Sequence, residues 1–338
     1  MEKISDILIG WYKKNKRDLP WRRHKDAYAI WVSEIMLQQT RVEAAIPYYE
    51  RFLAALPDLA ALANAPEEQL LKLWEGLGYY SRVRNMQKAA KICVEAHGGR
   101  LPETPEELEK LPGIGRYTAG AIASMAYGKQ VCAVDGNLCR VYARLYELED
   151  DMTTEAGKRR VESIIRQDMA EDMGSMNQAL MDIGAGICLP GDKAKCTLCP
   201  LQSHCLAFQN GRTGELPLRK KAAARRVEKK TVVICLQNGR VLLHRRPDTG
   251  LLAGLVEFPL FDGHLPPEAF PNSTALKKHK HVFSHLEWHL IGYCTREAVE
   301  PPADCFWAPL QGLFEAYSFS SALKPYTQWL QRMTEEDA

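Results

Sequence analysis

The spacing of apolar residues changes partway along this 338-residue chain, and that switch limits the fold more than any other feature. Up to about residue 210, apolar side chains recur at intervals of three and four, as in Trp31, Val32, Ile35, Met36, Val42 and Ile46 ahead of Pro47. This helical period extends over 67–77, 81–97, 106–111, 116–127, 138–146 and 155–169, with short Gly, Pro and Asn/Asp breaks between the runs. No strong period-2 run occurs there. Beyond residue 230 the pattern becomes β-rich: 231–237 and 240–245 flank Asn238-Gly239, a hairpin signal because both residues tolerate positive φ. Extended stretches follow at 255–261, 281–295 and 306–308, and a helix at 321–333. The expected architecture is multi-domain: an all-α domain over 1–210, a basic linker over 211–229, and an α+β domain over 230–338.

The length supports two cores rather than one. A 46% hydrophobic, 25% charged composition is that of a soluble globular protein. The first ten residues are too short and too charged for a secretory signal, and no stretch offers the ~18 continuous apolar residues of a membrane span. The expected location is therefore the cytoplasm, with no membrane partner. The net charge of +2 says little about nucleic acid, but 212–230 holds eight basic residues (Arg212, Arg219, Lys220, Lys221, Arg225, Arg226, Lys229, Lys230) against Glu215 and Glu228. A solvated linker and a phosphate contact both account for that run.

In a reducing compartment, clustered cysteines point to metal or catalysis rather than disulfides. Of ten cysteines, Cys188, Cys196, Cys199 and Cys205 fall in one short segment around a single Cys-x2-Cys knuckle. Four thiolates so close suit tetrahedral zinc or a [4Fe–4S] cluster. Zinc ribbons usually carry two such knuckles, so the single one favours iron–sulfur. The other cysteines read as small buried hydrophobes.

Three further features carry chemistry. Leu111-Pro-Gly-Ile-Gly115 forms a tight turn between helices, where backbone N–H groups at the next helix start can hold a DNA phosphate without reading sequence. Asp135, in Val134-Asp-Gly-Asn137, reads locally as a helix cap or Asx turn. Glu34 lies between Val32 and Ile35 on the apolar side of its helix, where desolvation favours the protonated acid.

Together, Ser33-Glu-Ile-Met-Leu-Gln-Gln-Thr-Arg41, Gly76-Leu-Gly-Tyr-Tyr80, Leu111-Pro-Gly-Ile-Gly115, Val134-Asp-Gly-Asn137 and the cysteine segment resemble the adenine DNA glycosylases of the helix-hairpin-helix superfamily. The resemblance implies an all-α helix-hairpin-helix glycosylase domain with an iron–sulfur cluster loop, followed by an α+β Nudix-like domain. It implies hydrolysis of the N-glycosidic bond of adenine opposite 8-oxoguanine or guanine, on double-stranded DNA, by a monomer. Glu34 would protonate the adenine ring and Asp135 would face the sugar, with Tyr117 and Asn137 lining the centre. Arg17, Trp21, Arg22, Gln38, Tyr79 and Gln178 would surround the extruded base or the DNA. Gln39 and Thr40 would enter the duplex, and Gly113 and Gly115 would hold a phosphate. Cys188, Cys196, Cys199 and Cys205 would bind a [4Fe–4S] cluster, although seven residues separate the first two, one more than the family pattern.

The chemistry asks for the same two carboxylates. An adenine anion leaves poorly, so the base needs a proton as the bond breaks, and the oxocarbenium-like sugar needs a negative neighbour. One acid should be kept protonated by burial and the other kept ionised by hydrogen bonds. In relatives that also cut the backbone, the position of Tyr117 carries a Schiff-base lysine, so base excision without strand cleavage is expected. In the second half, 242–247 and 250–259 resemble a Nudix fold without the Glu-rich hydrolase helix, which argues against phosphohydrolase activity. His281-Val-Phe-Ser-His285 resembles the loop that reads the opposing 8-oxoguanine, with Phe283, Ser284 and His285 as contacts. Two other readings compete: a bifunctional pyrimidine-lesion glycosylase/lyase, and a non-catalytic iron–sulfur DNA-binding protein. Tyr117, Glu34 and the extra domain speak against the first, and the intact pair Glu34 and Asp135 against the second.

Overall fold

The computed structural model describes residues 2–218, 224–297 and 304–336. Two compact units emerge, Met1–Asn64 with Asn85–Lys221 and Ala65–Arg84 with Ala222–Ala338. Arg219, Lys220 and Lys221 of the basic run lie outside the described residues.

Up to Gln209 every α-helix and β-strand described is a helix: α1 (Ile4–Asn15), α2 (Ala27–Leu37), α3 (Val42–Ala55), α4 (Leu59–Asn64), α5 (Glu67–Leu73), α6 (Ser81–Ala96), α7 (Pro105–Leu108), α8 (Arg116–Tyr127), α9 (Gly136–Leu145), α10 (Glu155–Ile165), α11 (Met173–Gly186) and α12 (Leu206–Gln209). Side-chain caps fix several starts: Asp135 for α9, Thr154 for α10 and Asp172 for α11 each accept a backbone N–H from the first turn. Helix α2 is buried all round from Tyr28 to Met36 apart from half-buried Ala29, as a central helix should be.

The continuous helical pattern read over 31–46 is two helices. The chain leaves α2 at Gln38, Gln39 adopts a left-handed φ of 62°, and α3 restarts at Val42. Pro47 therefore sits inside α3 rather than ending a helix, where its missing N–H removes one helical bond. Other predicted helices hold, with ends shifted by a few residues, as for 155–169 against α10.

The second unit is built on a mixed seven-stranded sheet: β1 (Arg226–Gln237), β2 (Arg240–Arg245), β3 (Val256–Glu257), β4 (Leu260–Asp262), β5 (Thr274–Val282), β6 (Leu286–Thr295) and β7 (Cys305–Pro309). Its main path runs β3-β2-β1-β6-β5, with β4 on β1 and β7 on β2. β1 and β6 are parallel over ten residue pairs, from Arg226↔Leu286 to Cys235↔Thr295. The β1–β2 turn forms at Asn238-Gly239, with φ of 49° and 70°, as read from the sequence. The predicted strand over 281–295 is instead the end of β5, a turn at 283–285, and β6. Helices α13 (Leu313–Ala316) and α14 (Lys324–Glu336) follow, and Tyr326 and Leu330 join Val232, Phe258 and Trp288 in the core. Residues 65–84 belong here: Arg84 donates to the Ala253 carbonyl at 2.8 Å, and Glu75 accepts the Phe319 N–H at 3.2 Å.

The basic run is partly structured. Arg226, Lys229 and Lys230 lie in β1, Lys230 pairs with Asp262 at 2.6 Å, and Arg212 is held by Glu147, Glu149 and Glu215 at 3.1, 2.7 and 3.0 Å. No helix among the described residues is long and apolar enough to cross a membrane.

Candidate active site

Glu34 is the single charged residue of α2 and is 5% exposed. Burial pushes its carboxyl up to about 7, against a hydrogen bond from Tyr117 that favours the charged form. Tyr117 stands in the first turn of α8, and burial with the neighbouring carboxylates Glu34 and Asp135 holds its phenol well above the usual value. It therefore remains a donor at any working pH. The turn before α8 needs Gly113, whose φ is 78° and where a Cβ would stand 2.8 Å from that of Asn85. Gly115 is the extended cap of α8, with open space where a Cβ would go.

Asp135 does what its local sequence suggests and more. Its Oδ1 caps α9 by accepting from Leu138 N–H at 2.8 Å, while Oδ2 accepts from Asn137 Nδ2 at 2.9 Å. Burial raises its pKa above the ordinary aspartate value, and the Leu138 and Asn137 hydrogen bonds with the Arg140 charge oppose that rise without cancelling it. The hydrogen bonds expected to favour its ionised form are present, and burial acts against them as the larger effect. Asn137 is itself held: its Oδ1 accepts from Arg140 Nη2 at 2.9 Å, and it lies against Gly184 of α11, where a Cβ would approach the Asn137 Cβ to 2.7 Å. Arg140 continues to the carbonyls of Gly184 and Cys188, both at 2.7 Å.

Both carboxylates open on one cavity of about 1540 Å3 in the first unit. Arg17, Trp21, Arg22, Gln38, Gln39, Thr40, Tyr117, Asn137 and Gln178 line it too. Trp21 is mainly core, 7% exposed and edge-on to Tyr49 at 5.2 Å, so it offers the cavity little of its ring. Gln39 is exposed and Thr40 half-buried on the turn after α2. Gln178 accepts from the Tyr12 hydroxyl at 2.9 Å. Gly115 and Tyr117 line a neighbouring cavity of about 300 Å3 with Lys158 and Arg116.

Asp182 was missed at the level of sequence. One turn after Gln178 on α11, it accepts from Arg17 Nε and Arg22 Nη1, both at 2.7 Å, with its side chain 3% exposed. It thereby fixes both arginines on the cavity wall. Asp182→Ala should strand two partly buried cations and cost about 3 kcal/mol. The check is a denaturant midpoint that falls with an unchanged slope.

Cys188, Cys196, Cys199 and Cys205 surround one small cavity of about 30 Å3 with Arg144 and Phe208. The extra residue between Cys188 and Cys196 is absorbed in a loop that Arg144 pins, through Leu189 and Gly191 carbonyls at 2.8 and 3.1 Å. Among the described residues, no group of three or more His, Cys, Asp and Glu is arranged to hold a single metal ion.

The remaining candidates belong to the second unit. Tyr79 has a φ of 48° and is 48% exposed. Arg82, also missed in the sequence, lies over the Tyr79 and Trp74 rings at 5.7 and 5.3 Å and donates to the Leu77 and Gly78 carbonyls at 3.0 and 3.1 Å. Phe283 is half-buried, edge-on to His281 and Trp288 at 4.6 and 5.0 Å, while Ser284 and His285 are exposed.

A helical unit with one buried and one half-buried carboxylate on one cleft, beside a glycine turn and a cysteine-lined loop, defines a class of DNA-repair fold. Residues 32–167 match the family model of the HhH-GPD superfamily base excision DNA repair proteins, and residues 231–329 that of the NUDIX domain. Within that class the chain belongs to the adenine DNA glycosylase family. It is 35% identical to the adenine DNA glycosylase of Buchnera aphidicola subsp. Schizaphis graminum, covering 85% of this chain and 86% of that one. It is 40% identical to that of Mus musculus over 75% of this chain, and it spans only 59% of the mouse protein's length. Among solved structures, a thermostable thymine-DNA glycosylase aligns with a TM-score of 0.55 at 26% identity, over 61% of this chain and 95% of that one.

Proposed function

We propose that this protein is an enzyme that hydrolyses the N-glycosidic bond of adenine mispaired with 8-oxoguanine or guanine in double-stranded DNA, without itself cutting the backbone. The observation that carries this is Glu34, a carboxyl buried until it holds its proton near neutral pH, on the same cleft as Asp135. Adenine cannot be reached inside the duplex and is flipped out, at a cost of a few kcal/mol. Glu34 gives its proton to the ring as the C–N bond breaks and the bonding pair leaves with the base. The positive charge left on the sugar faces Asp135, and water completes the hydrolysis. Tyr117 keeps Glu34 oriented and Asn137 keeps Asp135 oriented. Arg17, Arg22, Gln38 and Gln178 hold the extruded nucleotide, with Trp21 as an apolar wall. Gln39, Thr40 and Tyr79 enter the duplex, and the turn at Gly113 and Gly115 holds a phosphate. The exposed Ser284 and His285, anchored by Phe283, read the opposing 8-oxoguanine. Both carboxylates lie in one chain, so a monomer suffices, acting in the cytoplasm where the DNA is.

The cysteine-lined cavity fits a [4Fe–4S] cluster by donor chemistry, with four thiols and, among the described residues, no His, Asp or Glu in its walls. Cys188, Cys196, Cys199 and Cys205 would hold it, and its contribution is a rigid tie across the loop. A broad visible absorbance that disappears in Cys199→Ser supports this assignment; a colourless, zinc-containing wild type contradicts it.

The function is tested by free-base release from duplexes carrying A opposite 8-oxoguanine, A opposite G, or an oxidised pyrimidine. Adenine from the first two and nothing from the third is expected. Tyr117→Lys should introduce an amine able to form an imine with the sugar. Borohydride should then trap a covalent complex with the variant and none with wild type. A folded variant that traps nothing removes position 117 from the reacting centre.

A further inference from the structure

Strand β5 forms one end of the main sheet path and, among the described residues, pairs only with β6. Its sequence, Thr274-Ala-Leu-Lys-Lys-His-Lys-His-Val282, contains three lysines and no acidic residue. The ladder slips in its middle: Leu276 faces Gly292 and His279 faces Leu290, so Lys277 and Lys278 together oppose Ile291. Such a bulge resets the alternation of side chains. In a regular strand two successive lysines would point to opposite faces. Here both are exposed, while Leu276, His279 and His281 share the half-buried side. Lys280 is paired with Glu287 at 2.6 Å, but neither Lys277 nor Lys278 has a carboxylate partner among the described residues.

The strand leads directly into the turn at 283–285. An aromatic series connects the two, from His279 to His281 at 6.3 Å, to Phe283 at 4.6 Å, and to the buried Trp288 at 5.0 Å. Burial lowers the pKa of both His279 and His281, so the charge of this edge at neutral pH comes from its lysines. At about 3.3 Å per residue, Lys277 and Lys278 lie about 20 Å along the strand from Ser284. A DNA strand carries a phosphate about every 3.4 Å of helix axis, so an edge of this length can follow several of them.

We propose that the bulged edge of β5 is a sequence-blind DNA contact, in which Lys277 and Lys278 hold phosphates of the strand whose base is read at Ser284 and His285. This rests on the reading of the 283–285 turn given above. The contact adds affinity and registers the turn on the duplex, and it does not distinguish 8-oxoguanine from guanine.

The test uses the full chain and a duplex with 8-oxoguanine opposite a non-cleavable fluorinated adenine nucleotide, with binding measured across a salt series. Each lost phosphate contact lowers the slope of log K against log salt by about 0.9, so Lys277→Ala with Lys278→Ala should lower it by about 2. The same double variant should weaken binding to 8-oxoguanine and guanine duplexes equally and leave single-turnover excision at saturating enzyme unchanged. Replacing both lysines by arginine should preserve the slope. An unchanged slope in the alanine variant overturns the proposal. An unchanged slope with new self-association does so as well, assigning the lysines to protecting a sheet edge. Ser284→Ala with His285→Ala separates the two readings. If it leaves discrimination intact while the lysine variant still lowers the slope, the turn assignment fails and the phosphate contact stands.

Discussion

Glu34→Gln is expected to bind the mispaired duplex normally and to lose adenine release by about 10²–10⁴-fold, the range for a positioned general acid. Glutamine matches the carboxyl in size and can still accept from Tyr117, so the cavity should survive while the transferable proton is gone. The pH dependence follows from the same residue. With its carboxyl pushed up to about 7, Glu34 is protonated below that value and loses its proton above it. Excision by wild type should therefore fall about tenfold per pH unit on the alkaline side, and the variant should lack that limb. Stability should fall in the same direction. The folded state binds this proton more tightly than the unfolded chain, so Glu34 stabilises the fold at low pH, and that contribution is lost as pH rises through about 7. Above that pH the ionised, buried group costs about 3 kcal/mol, which glutamine removes. A folded Glu34→Gln protein that excises at near the wild-type rate would falsify the assignment.

Asp135→Asn should be the other severe loss, about 10²–10³-fold in single-turnover excision, because the negative charge facing the sugar disappears while the side-chain shape remains. The amide oxygen can still cap α9 through Leu138, so a large loss of stability is not expected. The acid limb separates a charge effect from a structural one. Burial holds the Asp135 carboxyl above the ordinary aspartate value, so wild-type activity should fall on the acid side as it protonates, and Asp135→Asn should lose that limb. Because the two carboxyls influence each other, the limbs report apparent values of the pair. Substitution of Arg140 is not equivalent, since it also frees the Gly184 and Cys188 carbonyls.

Much of this was legible in the sequence because it is local. Glu34 has Ile30 and Trp31 one turn before it and Leu37 three residues on, so its burial follows from helical period; Asn238-Gly239 encodes its own turn; the four cysteines lie within one segment. What escaped depends on contacts distant along the chain. Asp182 sits in α11, whose Gly- and Met-rich sequence gives weak periodicity, and its partners Arg17 and Arg22 lie 165 and 160 residues away. Arg82 acts on Tyr79 through carbonyls of a turn that composition does not reveal. Pro47 read as a terminator because nothing local showed that α3 restarts at Val42. The exchange of 65–84 into the second unit has no local signal, since it rests on contacts such as Glu75 with Phe319. Asp135 shows the reverse case: the cap that its sequence suggested is present, and the same carboxylate still opens on the cleft.

Adenine excision without strand cleavage is tested most directly by one assay. A duplex with adenine opposite 8-oxoguanine is incubated with excess protein, and the adenine strand is resolved with and without hot alkali. Free adenine with a nick that appears only after alkali is the expected result. Strand cleavage without alkali, or an adenine strand that survives alkali after incubation with folded protein, would contradict it.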